Sequence, residues 1–252
     1  MGRCFALAVA CLMLLNGNAA AGWYHVDNYA GFLGSYPIHF SLQTYDGFGS
    51  GITAEGSYFY DAKESPIAIY GNASGKKLEL CEITDDKALD RIIRVGSKIP
   101  VDTTGCPFSL DVSDGGAKGS WSRGATTYPV ALKKVATLDD TGEGKIDGTV
   151  EIPFWAQTSI RMFSGIYANT SSGICMGKMQ IVNKGSKKVD QELNFGKDDC
   201  NAGMLMTPIY LNVEKRTENG ADVISISFRN NRAGYATDYI FNRATRQYSQ
   251  KK

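Results

Sequence analysis

Short runs of alternating apolar and polar residues constrain the fold of this chain more than any other feature of its sequence. One run covers residues 37–45, where apolar side chains alternate with polar ones: Ile38, Phe40 and Leu42 against His39, Ser41 and Gln43. The same period of two recurs over residues 52–60. Because successive side chains of a strand point to opposite faces, this period indicates half-buried β-strands. Helix signals are scarce, and residues 85–94 are the main candidate for a short helix.

Polar and glycine-rich clusters separate the alternating runs. They lie at residues 46–51, 61–65 and 71–77, and this spacing is typical of antiparallel hairpins. Strand-like segments continue almost to the C-terminus, the last at residues 239–241. We therefore predict a mostly β protein with few short helices, in which antiparallel sheets form a sandwich or a barrel-like structure. Two similar β domains are one way in which these sheets could be arranged.

Residues 1–21 have the composition of a cleavable signal peptide. Arg3 precedes an apolar stretch at residues 5–15, and Ala19 and Ala21 fit an A-x-A cleavage site. The apolar stretch is shorter than the roughly 20 residues that span a bilayer. We expect cleavage after Ala21, a periplasmic or secreted location, and no membrane span in the mature chain.

Removal of the signal peptide from the 252 residues leaves 231, enough for one large domain or two of ordinary size. We predict a β domain at residues 22–136, a linker or turn at residues 137–149, and a second β domain at residues 150–252. The whole chain has 27 basic and 26 acidic side chains, and the signal peptide takes only Arg3 with it. A mature net charge of zero gives no indication of a nucleic-acid partner.

The mature chain keeps an even number of cysteines, as an oxidising compartment favours. Four cysteines allow three pairings, which sequence alone does not separate. We favour Cys81 with Cys106 and Cys175 with Cys200, because the members of each pair are 25 residues apart within one half of the chain. Zinc is the alternative, but no C-x-x-C spacing is present.

The polar segment before residue 150 contains a calcium-loop pattern. Asp139, Thr141, Glu143 and Asp147 fall at positions 1, 3, 5 and 9 of such a loop, with glycine at position 6. Position 12, which normally supplies a bidentate carboxylate, is Val150. A turn between two strands or two domains explains the same residues. We expect no cofactor, and calcium is the candidate metal for this loop.

No catalytic motif is assembled in the sequence, and we assign no catalytic residue. The chain lacks the G-x-S-x-G elbow of serine hydrolases, and we expect His25 and His39 to be surface or packing residues. A glycosidase-type carboxylate pair leaves no recognisable spacing in sequence, so that enzyme class stays open. We expect Trp121 and Trp155 to pack in the core, with sugar stacking as the alternative.

Several short motifs follow one another over residues 52–135. In order they are G-x-Y-x-Y, I-x-I-x-G, L-x-L-x-E, G-x-W and P-x-x-L: residues 56–60, 67–71, 78–82, 119–121 and 129–132. The succession resembles one found in exported bacterial β-rich proteins, most of them without a known function. The resemblance implies a periplasmic setting and a β architecture, and it supplies no catalytic residues.

Export, disulfides, a β scaffold and the absence of a catalytic motif together favour a binding protein over an enzyme. We expect a periplasmic inhibitor or immunity protein that neutralises an envelope-directed hydrolase or toxin, and therefore a protein partner in the cell envelope. Residues 46–51, 115–127 and 169–173 are the expected recognition loops. The alternatives are a glycan-processing hydrolase that uses Asp or Glu, or a glycan-binding module.

Overall fold

A computed structural model describes residues 24–45, 53–85, 102–139, 145–146, 148–170, 173–195, 209–229 and 234–251. Strands form almost all of this part of the chain, as the alternation predicts. The described residues contain a single short 3-10 helix and no α-helix.

The first eight strands form a closed antiparallel barrel. Each strand pairs with the next along the chain, and the first also pairs with the eighth, which removes both free edges of the sheet. A short ninth strand pairs with the end of the eighth. The bounds are β1 Tyr24–Leu33, β2 Tyr36–Tyr45, β3 Ala54–Tyr60, β4 Ile67–Ser74, β5 Lys77–Glu82, β6 Phe108–Ser113, β7 Gly116–Arg123, β8 Thr126–Asp139 and β9 Lys145–Ile146.

The barrel interior is filled by side chains. Ile38, Phe40 and Leu42 share one face of β2, as the alternation predicts, and this face points into the barrel, where each is at most 3% exposed. Aromatic rings from other strands close the space, with Tyr58 and Phe108 5.2 Å apart between ring centroids. An eight-stranded barrel is just wide enough for its side chains to fill it, so this interior is a core.

Glycine permits close approach between barrel strands at Gly56 in β3. A Cβ on Gly56 would lie 2.2 Å from the carbonyl oxygen of Ser41 in β2, far inside van der Waals contact. The G-x-Y-x-Y motif therefore begins with glycine because the neighbouring backbone occupies that space.

The rest of the described chain forms two four-stranded antiparallel sheets. The first comprises β10 Thr149–Gln157, β11 Arg161–Thr170, β12 Gly173–Asn183 and β13 Lys188–Asn194. The second comprises β14 Val213–Glu218, β15 Ala221–Arg229, β16 Gly234–Asn242 and β17 Gln247–Gln250, and the 3-10 helix Ile209–Leu211 precedes it. The two sheets share one hydrophobic core, to which Phe154, Phe163 and Ile226 each contribute a fully buried side chain. We call them together the two-sheet unit.

Side chains connect the two sheets along one pair of edges. The Gln191 amide in β13 donates to the carbonyl of Tyr248 in β17 and accepts from its backbone N–H, both at 2.8 Å. One glutamine thus replaces a ladder hydrogen-bond pair between sheets that are not otherwise paired there. The buried Arg161 guanidinium lies 4.2 Å from the Phe241 ring centroid and adds a cation–π contact.

The two-sheet unit packs against the outer wall of the barrel at β2 and β3. Both faces of β3 are buried as a result, which a strand with one solvent face would not show. Polar outward side chains make specific contacts there: the Ser41 hydroxyl lies 2.9 Å from the Tyr210 hydroxyl, Ser57 donates to the Pro153 carbonyl at 3.1 Å, and the Ile209 N–H donates to Gln43 at 2.8 Å. Trp155 donates its indole N–H to the Gly56 carbonyl at 2.8 Å. The interface is therefore hydrogen-bonded as well as packed.

The predicted disulfide between Cys81 and Cys106 is confirmed. Cys175 is buried in β12, but Cys200 lies outside the described residues, so that pairing stays a prediction. Apart from Asp85, the segment predicted as a helix also lies outside them. The predicted division into two domains stays a prediction, although the sheets do change between β9 and β10.

Candidate functional site: an aromatic pocket at one end of the barrel

Three of the connections at one end of the barrel surround the candidate site: the β1–β2 turn, the β3–β4 loop and the β7–β8 turn. In an up-and-down barrel alternate connections share an end, so residues far apart in sequence meet there. They enclose a pocket of about 310 Å³, which is open to solvent. Its lining is aromatic or aliphatic except for one lysine: Leu33, Tyr36, Pro37, Tyr60, Ala62, Lys63, Trp121 and Tyr128.

Four aromatic side chains of this lining contact one another. The Tyr36 ring meets the rings of Tyr60 and Tyr128 edge to face, with centroids 6.0 and 6.3 Å away. Tyr128 stacks on Trp121 at 6.0 Å. These separations lie in the range of favourable aromatic pairs, so the rings hold one another in place. Tyr36 is nevertheless 51% exposed and Tyr128 36% exposed, which leaves apolar surface available to a ligand.

The tight β1–β2 turn fixes the position of two of these rings. Leu33 pairs with Tyr36, so Gly34 and Ser35 form a two-residue hairpin turn, and Gly34 adopts a φ of 61°. A Cβ on Gly34 would lie 3.0 Å from Cδ1 of Tyr128, which lies against the turn. Glycine is therefore needed both for the backbone conformation and for the ring above it.

A buried carboxylate forms the polar support beneath the pocket. Glu82, at the end of β5, is 7% exposed and accepts hydrogen bonds from the Tyr58 hydroxyl at 2.6 Å and the Trp121 indole N–H at 2.8 Å. The Arg123 guanidinium donates to its other oxygen. The carboxylate thus has a cation and two neutral donors, which offset the loss of its hydration.

The tyrosines beside Glu82 stay protonated over a wide pH range. Burial raises the pKa of Tyr58 well above its ordinary value, and the adjacent Glu82 carboxylate raises this pKa further. Burial also raises the pKa of Tyr60, against the lowering effect of its hydrogen bond with Tyr58. A phenol that keeps its proton continues to donate, so this support does not change at physiological pH.

Two cations flank the aromatic rings. Lys63 lines the pocket from the β3–β4 loop, and the guanidinium carbon of Arg123 lies 5.3 Å from the Trp121 ring centroid. The arrangement can bind an apolar group in the pocket and an anion at the rim. The described lining residues include no carboxylate, histidine, serine or cysteine side chain.

The calcium-loop residues are only partly described. Asp139 ends β8, and its carboxylate lies 3.3 Å from the His25 imidazole. Thr141, Glu143 and Asp147 lie outside the described residues, so the calcium site stays a prediction. In the part of the chain that the structure describes, no cluster of three or more His, Cys, Asp or Glu side chains could hold a metal.

Both histidines are half exposed and each contacts an aspartate. The His39 Nδ1 atom lies 2.9 Å from Asp61, and its ring stacks on Phe59 with centroids 5.2 Å apart. These contacts agree with the expected surface and packing roles.

The prediction of a recognition loop at residues 115–127 was wrong for most of its length. Residues 116–123 form β7, which pairs with both neighbours, and only the tight turn at Gly124 is exposed loop. The glycines that suggested a loop are tolerated in the strand. Trp155 is 8% exposed and packs in the core as expected, but Trp121 is only half buried and lines the pocket.

Sequence reasoning did not identify the pocket, although one signal for it was present. The motifs G-x-Y-x-Y, L-x-L-x-E and G-x-W contribute Tyr58, Tyr60, Glu82 and Trp121, which the barrel brings together at this end. Tyr36 and Tyr128 carry no such signal, because each lies beside a turn rather than within a repeated strand pattern.

Comparisons with known proteins name no relative of this chain. No protein-family model matches it, and neither the curated proteins nor the solved structures contain a significant match. Within the described residues, no helix has the length and hydropathy of a membrane span.

Proposed function

We propose that this protein is an exported, non-enzymatic binding protein that holds a large apolar side chain of a protein partner in the aromatic pocket. Its role would be that of a periplasmic inhibitor or immunity protein acting on an envelope-directed hydrolase or toxin. The observation that carries the proposal is the pocket itself, where solvent-exposed tyrosines surround a concave apolar surface of about 310 Å³. The disulfide between Cys81 and Cys106 supports an oxidising compartment.

The filled barrel interior restricts where a ligand can bind. Lumenal ligand cavities require a barrel that its own side chains do not fill, and here the lumen is packed core. The wall at β2 and β3 is covered by the two-sheet unit. The pocket at the barrel end keeps its aromatic surface exposed, and Tyr and Trp in such pockets dominate the energetics of many protein interfaces.

The chemistry of the lining favours a protein partner over a glycan. Sugar sites combine an aromatic face with polar groups that bind ring hydroxyls. In this pocket the polar support, Glu82, is already occupied by Tyr58, Trp121 and Arg123. An apolar side chain loses little by entering such a lining, whereas sugar hydroxyls would lose hydrogen bonds to water.

Site-specific photocrosslinking in cells tests the proposal. A photoreactive phenylalanine analogue replaces Tyr36 in one variant and Val135 in the control, because Val135 is also exposed, at 57%, but lies outside the pocket in β8. We expect a protein adduct at position 36 only, lost when Tyr128→Ser is added. The purified partner should then be an envelope-directed hydrolase or toxin that the protein inhibits.

Two results would count against this function. Equal adducts at both positions, or none at position 36, would remove the pocket as the partner site. Crosslinking of position 36 to peptidoglycan or polysaccharide fragments would favour the glycan-binding alternative. Turnover of those fragments, abolished by a single Asp or Glu substitution, would instead favour a hydrolase.

A further inference from the structure

We infer that the partner presents a carboxylate directly beside the apolar side chain that enters the pocket, and that this carboxylate pairs with Lys63. The inference depends on the proposed function and specifies the chemistry of the partner. It applies to a protein segment with a large aromatic residue next to an acidic one.

The β3–β4 loop holds Lys63 at the pocket wall. The backbone N–H groups of Lys63 and Glu64 both donate to the Tyr60 carbonyl, at 2.7 and 3.0 Å, so the loop curls tightly at the end of β3. Glu64 has a φ of 48° in this turn. Lys63 lines the pocket from this constrained turn, so the backbone anchors its side chain at the pocket wall.

Lys63 makes no ion pair within the described residues. The neighbouring carboxylates have other partners. Asp61 lies 2.9 Å from His39, and Glu82 pairs with Arg123. No carboxylate of the described residues, Glu64 included, lies within ion-pair distance of the Lys63 ammonium group, so this group is available to a carboxylate of a partner.

Arg123 lies over the Trp121 ring beside the pocket, but its charge is already paired with Glu82. Its side chain is 57% exposed, and Glu82 neutralises it while fixing it over the indole ring. The pocket thus combines an apolar interior with a cationic rim. A neutral aromatic residue satisfies only the interior, and an aromatic residue beside a lysine would be repelled at the rim.

The expected gain in affinity from a carboxylate follows from the exposure of Lys63. A pair between exposed groups changes affinity by a factor of about two to five, because water screens the charges. The apolar lining excludes part of that water when a ligand is bound, so we expect the upper end, a factor of about five between a carboxylate and its isosteric amide.

Three capped tetrapeptides test the inference by titration of the isotope-labelled protein in NMR. Their sequences are Gly-Phe-Asp-Gly, Gly-Phe-Asn-Gly and Gly-Phe-Lys-Gly, so that only the residue beside phenylalanine differs. We expect the Asp peptide to bind about five-fold more tightly than the Asn peptide and the Lys peptide to bind most weakly. The shifted signals should include those of Tyr36, Lys63 and Trp121.

Variants of two lysines separate a local pair from general attraction. Lys63→Met should make the Asp and Asn peptides bind equally, and Lys63→Arg should restore the preference. Lys77→Met is the matched control, since Lys77 is an exposed lysine beside the β4–β5 turn at the other end of the barrel. It should leave the five-fold preference unchanged.

Three outcomes overturn the inference. Equal binding of Asp and Asn peptides to the unmodified protein excludes a carboxylate preference while leaving the pocket as the partner site. If the Lys63→Met variant still prefers the Asp peptide over the Asn peptide, a residue other than Lys63 pairs with the carboxylate. Absence of binding by all three peptides also overturns it, and the crosslinking result at position 36 then decides independently whether the proposed function stands.

Discussion

Substitution of Glu82 by alanine should destabilise the barrel far more than the same change three residues earlier on the same strand, at Glu79. Glu82 is 7% exposed and serves as acceptor for Tyr58, Trp121 and Arg123 at once. Glu79 lies on β5 as well, but its carboxylate is exposed and accepts from the Ser109 hydroxyl at 2.8 Å. The two substitutions therefore compare the loss of a buried acceptor, Glu82, with the loss of a solvated one, Glu79.

The magnitude follows from the donors that Glu82→Ala would strand. The Tyr58 hydroxyl is fully buried, and a buried donor without an acceptor costs about 2 kcal/mol. The indole N–H of half-buried Trp121 can regain partial hydration, so its loss costs about 1 kcal/mol. The Arg123 side chain is 57% exposed, and its ion pair adds less than about 1 kcal/mol. We expect a total near 3 kcal/mol, against less than about 0.5 kcal/mol for Glu79→Ala.

Urea unfolding followed by tryptophan fluorescence measures both changes. Glu82→Gln keeps an acceptor of the same shape but loses the charge, so it should cost about 1 kcal/mol and lie between the other two. In a double-mutant cycle, Trp121→Phe should recover part of the cost of Glu82→Ala because the stranded donor is gone. A Glu82→Ala variant no less stable than Glu79→Ala would refute the assignment of Glu82 as the support of this barrel end.

Three further changes test other parts of the structure. Gly56→Ala should cost more than about 2 kcal/mol in urea unfolding, because its Cβ would lie 2.2 Å from the Ser41 carbonyl oxygen and the paired strands must separate; an unchanged midpoint would contradict this. Burial raises the pKa of Tyr248 to about 12 and raises that of Tyr167 further, from an ordinary value of 10.0. The unfolded chain therefore loses these protons first, so stability should hold below pH 10 and fall as pH rises above it, with phenolate absorbance appearing together with the loss of circular dichroism; full ionisation of all tyrosines in the folded protein would contradict the burial. Replacement of Cys81 and Cys106 by serine should cost about 3 kcal/mol, as expected for a cross-link that closes a loop of 25 residues, and a native thiol assay that labels Cys81 would contradict the pairing.

The alternation of side chains in β2 shows how far the sequence predicts the fold. Ile38, Phe40 and Leu42 could be assigned to one face from their spacing alone, because the period of a strand is local. The same spacing places Ser41 and Gln43 on the opposite face, which their polarity predicts to be exposed to solvent. Both are at most 2% exposed, since the two-sheet unit covers them. Burial by a distant part of the chain has no local signature, so this interface was not predictable.

Barrel closure was not predictable from the sequence either, because it depends on a pairing between distant strands. A sandwich and a barrel give the same strand pattern, and the difference is whether β1 pairs with β8. That pairing joins residues at least 97 positions apart, the separation of Leu33 and Val130 in the register near the pocket. Glycines at close strand contacts favour strong coiling, but they also suggested a loop over residues 115–127, where β7 in fact lies.

The pocket depends both on the local strand pattern, which the sequence predicts, and on the barrel, which it does not. Tyr58, Glu82 and Trp121 belong to three separate motifs of the sequence, and each motif looks like an ordinary strand when taken alone. The curved sheet of the barrel brings the Tyr58 hydroxyl and the Trp121 indole N–H, from β3 and β7, within 2.8 Å of the same carboxylate on β5. A polar side chain at the end of an otherwise apolar strand pattern therefore indicates a position at a barrel rim, where a buried support and an exposed aromatic surface can adjoin. The motif succession is therefore better explained by the architecture of the barrel end than by a set of reacting groups. The exposed aromatic rings that these motifs position are the surface available to a partner.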